Sequence, residues 1–232
     1  MNLQEAYSLI KKTQETYNLI ALHFHQTRKN PWAELEDLKD LFFQNQNILD
    51  FGCGNGRFYS LIKDKNINYY GVDISQKLIN LAKKQVHQGK FTIIDSNLKL
   101  PYKNSFFDRL LCIASFHHIP SEKLRQKVLL EFKRVLKDNS ILLITVWDFY
   151  HGKNLKYLNS KYQDPKLEKG DLFIPWKDNN GKILAQRYFH AFTIEELEIL
   201  IKKAGFKIEK LELIPHNNKK EYFNILLIAK KV

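Results

Sequence analysis

Three aspartates, Asp50, Asp73 and Asp95, are spaced 23 and 22 residues apart, and each closes a short apolar run: NILD, YYGVD and FTIID. Directly after the first acid comes FGCGNGRF, with Gly52, Gly54 and Gly56 on alternate positions. Glycines so placed let backbone approach a ligand where a Cβ would clash. The dinucleotide fingerprint G-x-G-x-x-G has its third glycine one residue later and sets a pyrophosphate on a helix N-terminus. Here the third glycine is early and a carboxylate stands beside the loop. An acid is a poor neighbour for a pyrophosphate and a good one for an amine.

The elements that must position these residues follow from periodicity. LQEAYSLIKKTQETYNLIALHF has helical spacing, as does WAELEDLKDLFF. The strand NILDF leads to a helix expected from Arg57 to Asp64, then to the strand YYGVD. Ser75 caps QKLINLAKKQVHQ, which Gly89 would end. FTIID, FDRLLCIA and SILLITVWD read as further strands, and Ser121 starts the helix EKLRQKVLLEFKRVL. Residues 149–190 break the rhythm, with turns at QDPK and KDNNGK, and read as an insertion. Thr193 and Glu196 form a T-x-x-E capping box for a helix that stops at Gly205. FKIEKLELI and EYFNILLIA close the chain as antiparallel strands, with Lys219 and Lys220 at the hairpin tip. Alternating strands and helices imply a mostly parallel sheet covered on both faces, with ligands at the strand C-terminal ends, where all three acids sit.

The 232 residues, 44% hydrophobic, are enough for one substantial core and too apolar for disorder. The expected organisation is a single domain: N-terminal helices over 1–46, a cofactor-binding half over 47–148, a substrate-recognition insertion over 149–190, and a C-terminal helix and hairpin over 191–232. No apolar run reaches membrane-spanning length and the N-terminus has no signal-peptide core, so the expectation is no membrane and a cytoplasmic setting. Cys53 and Cys112 form no C-x-x-C pair, so no structural metal is expected. The net charge is +12, and its excess is uneven. Residues 31–150 carry 17 Lys/Arg against 13 Asp/Glu, whereas 151–190 and 202–232 together carry 16 against 7. A polyanionic partner and a solvated lysine-rich surface both fit that distribution.

The loop ILDFGCGNG, the acids at successive strand ends and the closing hairpin together resemble the class I S-adenosylmethionine-dependent methyltransferases. The resemblance covers nearly all of residues 47–230. It implies an α/β, Rossmann-like fold with a mostly parallel seven-stranded sheet, a C-terminal antiparallel hairpin, N-terminal helices and an inserted lid. It implies S-adenosyl-L-methionine as cofactor. The methionine amine would lie near Asp50, the backbone of Gly52, Gly54 and Gly56 beside the cofactor, and the ribose hydroxyls on Asp73, followed by Ile74. The adenine amino group would lie on Asp95 with Ser96, and the sulfonium near Ala114 and Ser115. YNLIALHFHQTRKNPW, SFHHIPSEKLR, GDLFIPW and RYFHAFTIEEL are further similar to the tRNA methyltransferases that esterify wobble-position carboxymethyluridine, including the methyltransferase domain fused to an AlkB-type oxygenase in animals. That subfamily brings tRNA, at its anticodon loop, as substrate. Its eukaryotic members use a small zinc-binding activator subunit, a candidate partner here.

A carboxylate acceptor is ionised at pH 7 and needs no base; it needs cations that aim one oxygen at the methyl. Arg28, His117, Arg187 and His190 suit that clamp, with Trp176 as a base-stacking wall and Tyr17 and Trp147 at the mouth. A hydroxyl or amine acceptor would instead need His117 or His118 as base. One of these two histidines is expected to be structural, bonding a backbone carbonyl, with His117 favoured as the site member. Phe189 is expected to pack the insertion, and His23 and His25 to be structural or exposed. Two other classes stay open: a methyltransferase of small quinones or carboxylic acids, and a non-catalytic cofactor-binding subunit of an RNA-modifying complex.

Overall fold

The computed structural model describes residues 1–158, 167–216 and 219–232. A 25-residue helix, α1 (Leu3–Thr27), opens the chain at a capping box in which Asn2 and Glu5 exchange side-chain and backbone bonds of 3.0 Å. The stretch WAELEDLKDLFF, read as helical, forms a 3-10 helix over Ala33–Leu41 that buries Leu35 and Leu38. Then come β1 (Asn47–Phe51), the single turn α2 (Tyr59–Ile62), β2 (Asn68–Asp73), α3 (Gln76–Gln85) and β3 (Lys90–Ile93). They are followed by β4 (Phe107–Ile113), α4 (Glu122–Val135) and β5 (Leu136–Trp147). The helix expected from Arg57 to Asp64 is shorter because the glycine loop runs on into it.

Seven strands form one sheet in the order β3-β2-β1-β4-β5-β9-β8. β1 to β5 pair in parallel, while β9 (Lys219–Lys231) lies antiparallel to β5 and β8 (Phe206–His216) antiparallel to β9. The expected sheet and closing hairpin are therefore both present. Both faces are covered: Phe51, Leu110, Leu142, Phe132 and Leu227 belong to one buried cluster, and Ile48, Tyr69, Leu111 and Leu143 to the other. That is why β4 and β5 are apolar along most of their length rather than alternating.

The insertion is more ordered than its composition suggests. After the short α5 (Leu155–Leu158), β6 (Asp171–Lys177) and β7 (Ile183–His190) pair as a separate antiparallel hairpin whose turn is Asp178–Lys182. The expected turn QDPK lies outside the described residues, as do the side chains of Lys219 and Lys220. α6 (Ile194–Lys203) is capped by Thr193, whose side chain accepts from the Glu196 N–H at 3.1 Å, and ends at Gly205 with φ +79°. The reciprocal half of that capping box is absent, since the Glu196 carboxylate is drawn to His190. Ser121 makes no side-chain cap either; its hydroxyl is buried without a partner, and its φ is +68°. No described helix is long and apolar enough to cross a membrane.

Candidate active site

A pocket opens at the carboxyl ends of β1 and β4, between the sheet, α1 and the β6–β7 hairpin. Here strand order reverses direction from the first strand, the usual ligand position in open α/β sheets. Its two ends differ in charge.

The acidic end is built by the ends of β1 and β2. Asp50 is buried, and the Tyr69 hydroxyl donates to its Oδ2. Burial, opposed by that hydrogen bond, raises the Asp50 pKa to about 7. Asp73 accepts from the Gly54 N–H at 2.9 Å and the Ser75 N–H at 2.8 Å, and burial lifts its pKa to about 6. Neither carboxylate is bonded to a cation among the described residues. Two buried acids so placed call for a ligand that brings a positive charge and paired hydroxyl donors.

Close approach is enforced by the loop. At Gly52, φ is +71° and a Cβ would fall 1.9 Å from Ser115 Oγ. Gly54 presents its N–H to Asp73. Gly56 lies behind the loop, where a Cβ would press on Ala82 and Val86 at 3.3 Å, so it shapes the turn and does not line the pocket. Ile74, Leu78, Ile94, Leu98 and Ile119 give an apolar slot for a planar ring. Asp95 and Ser96 are not part of that wall. β3 ends at Ile93, two residues before Asp95, whose exposed carboxylate closes a turn on the Asn97 N–H and side chain. Ala114 does line the pocket, at φ 49°, its N–H held by the Thr145 carbonyl and hydroxyl at 3.0 Å.

The basic end is a stack of guanidinium groups and aromatic rings. Arg187, on β7, lies 4.7 Å from the Trp176 ring centre, 5.0 Å from Phe189 and 5.6 Å from Trp147. It is buried, its guanidinium reaches the Tyr17 hydroxyl, and its Nε has no partner. Arg28 lies over Trp176 at 5.1 Å and donates to the Thr27 carbonyl. Trp176 is buried and donates its Nε1–H to His23, which makes His23 a structural residue. Phe189 stacks on His117 and Trp147, packing the hairpin onto the sheet.

The two histidines differ. The His118 Nδ1–H donates to the Tyr188 carbonyl at 2.6 Å, leaving Nε2 to accept from the Tyr17 hydroxyl at 2.7 Å. Both nitrogens are used, and burial drives the pKa down to about 3. His117 Nδ1 accepts from the Trp147 N–H at 3.1 Å, so its proton sits on Nε2. Burial holds its pKa well below the ordinary value. Both line the pocket, and His117 is the one with a nitrogen uncommitted.

His190 is not in the pocket. Its Nδ1 meets Asp171 at 2.7 Å and its Nε2 meets Glu196 at 2.8 Å, in a buried cluster with Arg125, Glu168 and Tyr188 at the foot of the hairpin. Its neighbour Phe189 takes the pocket-facing side, since alternate residues of a strand point oppositely. Glu168, Asp171 and His190 bring donor atoms within 4.8 Å of one another, and Arg125 already supplies the cation there.

Sequence reasoning missed Phe24, Asn55 and Arg57, all of which line the pocket. Phe24 lies two helical turns after Tyr17 on the same face of α1, and Arg57 directly follows Gly56, so both had a positional signal. Asn55 had none: its side-chain N–H groups reach His25 and the Arg28 carbonyl, pinning the end of α1 to the glycine loop.

Fold, loop, paired acids and apolar slot define a class I S-adenosylmethionine-dependent methyltransferase. A methyltransferase-domain family model matches residues 49–144. A solved S-adenosylmethionine-dependent methyltransferase from Methanosarcina mazei superposes with TM-score 0.69 at 22% identity, covering 84% of this chain and 97% of that one. A putative methyltransferase of Haloferax volcanii, solved with the Trm112 activator, gives 0.67 at 13% identity, covering 94% and 96%. The tRNA (carboxymethyluridine(34)-5-O)-methyltransferase of Schizosaccharomyces pombe is 30% identical over 213 residues, spanning 84% of this chain and 88% of the relative. The chain belongs to that family. The Arabidopsis thaliana enzyme of the same name is 29% identical over 83% of this chain, which spans about half, 46%, of that longer protein.

Proposed function

We propose that the chain methyl-esterifies the carboxymethyl group of a wobble uridine in tRNA. The observation that carries this reading is Arg187, a buried guanidinium with an unpartnered Nε, walled by Trp147, Trp176 and Phe189. A buried cation without an acid beside it is costly unless an anionic ligand completes it. Bound adenosylmethionine supplies an electrophilic methyl on a sulfonium. Arg187, with Arg28, holds the acceptor carboxylate so that one oxygen faces that methyl, and the aromatic walls exclude water. The new O–CH3 bond forms as the S–CH3 bond breaks, and no proton has to be removed.

The alternative of a hydroxyl or amine acceptor needs a general base. His118 has both nitrogens engaged, and His117 sits where burial opposes the imidazolium a base must become. These observations favour the carboxylate. The tRNA substrate is supported by family membership and by the basic excess in 151–190 and 202–232, with residues 149–190 as the recognition lid and the cytoplasm as compartment. A small activator subunit is a proposed partner, consistent with the Haloferax pair.

The test uses methyl-labelled adenosylmethionine and tRNA bearing carboxymethyluridine, followed by mild alkali. The expected result is volatile labelled methanol, lost in Arg187→Ala. Alkali-stable label in the RNA would overturn the ester reading.

A further inference from the structure

The pocket holds three arginines, and the acceptor carboxylate accounts for only part of them. Arg28 and Arg187 both lie over the Trp176 ring, and Arg187 also lies over Trp147 and Phe189. Arg57 stands apart. It follows the glycine loop directly, where Gly56 accepts from the Tyr59 N–H to start α2. Its guanidinium lies between two rings, 5.2 Å from the Trp32 centre and 5.9 Å from that of Phe24. The guanidinium makes no hydrogen bond or ion pair to any described residue; the Arg57 carbonyl accepts from Ser60. Of the three arginines, Arg57 is the one close enough to Asp50 to lower that acid's pKa.

The geometry points to Arg57 as the counter-ion of the cofactor's methionine carboxylate, paired with Asp50 on the neighbouring ammonium. An α-amino acid presents its two charges on one carbon, and Asp50 and Arg57 flank the glycine loop as an acid and a base at its two ends. The rings of Trp32 and Phe24 hold the guanidinium in place by cation–π contact without using its donors, which leaves the planar fork free for a carboxylate. The assignment also divides the labour: Arg57 serves the cofactor, while Arg28 and Arg187 serve the acceptor. A single shared cluster would let substrate carboxylates compete for the cofactor's place.

This inference rests on the adenosylmethionine reading and is independent of the tRNA substrate. It is tested by calorimetric binding of adenosylmethionine and of its decarboxylated form, which keeps the ammonium and lacks the carboxylate. The wild type should prefer adenosylmethionine by on the order of 30- to 100-fold, as expected for a charge-assisted bidentate contact. Arg57→Ala should bring the two ligands within about threefold, by weakening adenosylmethionine alone, and Arg57→Lys should restore part of the preference. Arg28→Ala should keep it. Undiminished binding of the decarboxylated form by Arg57→Ala reports that the variant is folded. A preference that survives in Arg57→Ala, or that collapses in Arg28→Ala instead, overturns the assignment. A wild type that binds neither ligand overturns the cofactor reading itself.

Discussion

At the scale of single residues, Gly52 and Asp50 decide whether the cofactor enters. Gly52→Ala places a methyl 1.9 Å from Ser115 Oγ at a backbone angle that L side chains avoid. Binding of S-adenosylhomocysteine should fall by about 100-fold or more by calorimetry, the loop being displaced into the ligand's space. Asp50 adds a pH dependence. Its pKa, raised to about 7 by burial, means that the cofactor-free fold holds a proton the unfolded chain would release above about pH 4. That contribution to stability is full at low pH and is lost as pH rises through 7. The cofactor ammonium needs the ionised acid, so affinity runs the other way. Homocysteine-ligand affinity should weaken by roughly tenfold from pH 8 to pH 6, and its thermal shift should shrink accordingly. Asp50→Asn should flatten most of that profile; the same slope in the variant would rule Asp50 out as its source.

At the scale of elements, the β6–β7 hairpin must hold Arg187 and Trp176 over the pocket, and its foot is fixed by a buried polar cluster. His190 bridges Asp171 to Glu196, with Arg125 alongside at 2.9 Å from Glu168. Burial works against its charged form, but the two carboxylates outweigh that and raise its pKa. A raised histidine contributes stability below its unfolded pKa and loses it as pH rises through the folded value. His190→Gln should therefore lower Tm, by an amount corresponding to about 2–4 kcal/mol at pH 6 and narrowing toward pH 9, with the homocysteine-ligand Kd unchanged at fixed pH. An altered Kd without a Tm change would return His190 to the site. The sequence made this residue look catalytic because it lies in an aromatic and basic run, RYFHAF. Strand alternation, not composition, sends Arg187 and Phe189 to the pocket and His190 to the foot of the hairpin, and composition alone does not show that alternation in residues 149–190. Asp95 falls outside the wall of the apolar slot because β3 ends at Ile93, two residues before it. The sheet, its closing hairpin, Asp50, Asp73 and the glycine loop were legible because each depends on local pattern. The bond of His118 to Tyr17, and of Asn55 to the end of α1, is tertiary and left no such trace.

At the scale of the whole molecule, charge and pocket act together. Lys177 and Lys182 are exposed beside the β6–β7 turn, and Lys177 is next in sequence to the pocket-lining Trp176 on β6. Lys177→Glu with Lys182→Glu should weaken tRNA binding by about tenfold at 100 mM salt and reduce the slope of log K against log salt. Cofactor affinity should be unchanged. An unaltered slope would place the tRNA backbone on another face. The account as a whole rests on a carboxylate acceptor held by arginine without a base. The most direct measurement is the single-turnover rate, at saturating cofactor, on two anticodon stem-loops that differ only in a carboxymethyl or a carbamoylmethyl group on the wobble uridine. The account predicts methyl-ester formation on the first alone, at a rate flat between pH 6.5 and pH 8.5 within about twofold. Methylation of the amide-bearing RNA, or a rate that climbs with the deprotonation of a histidine, would contradict it.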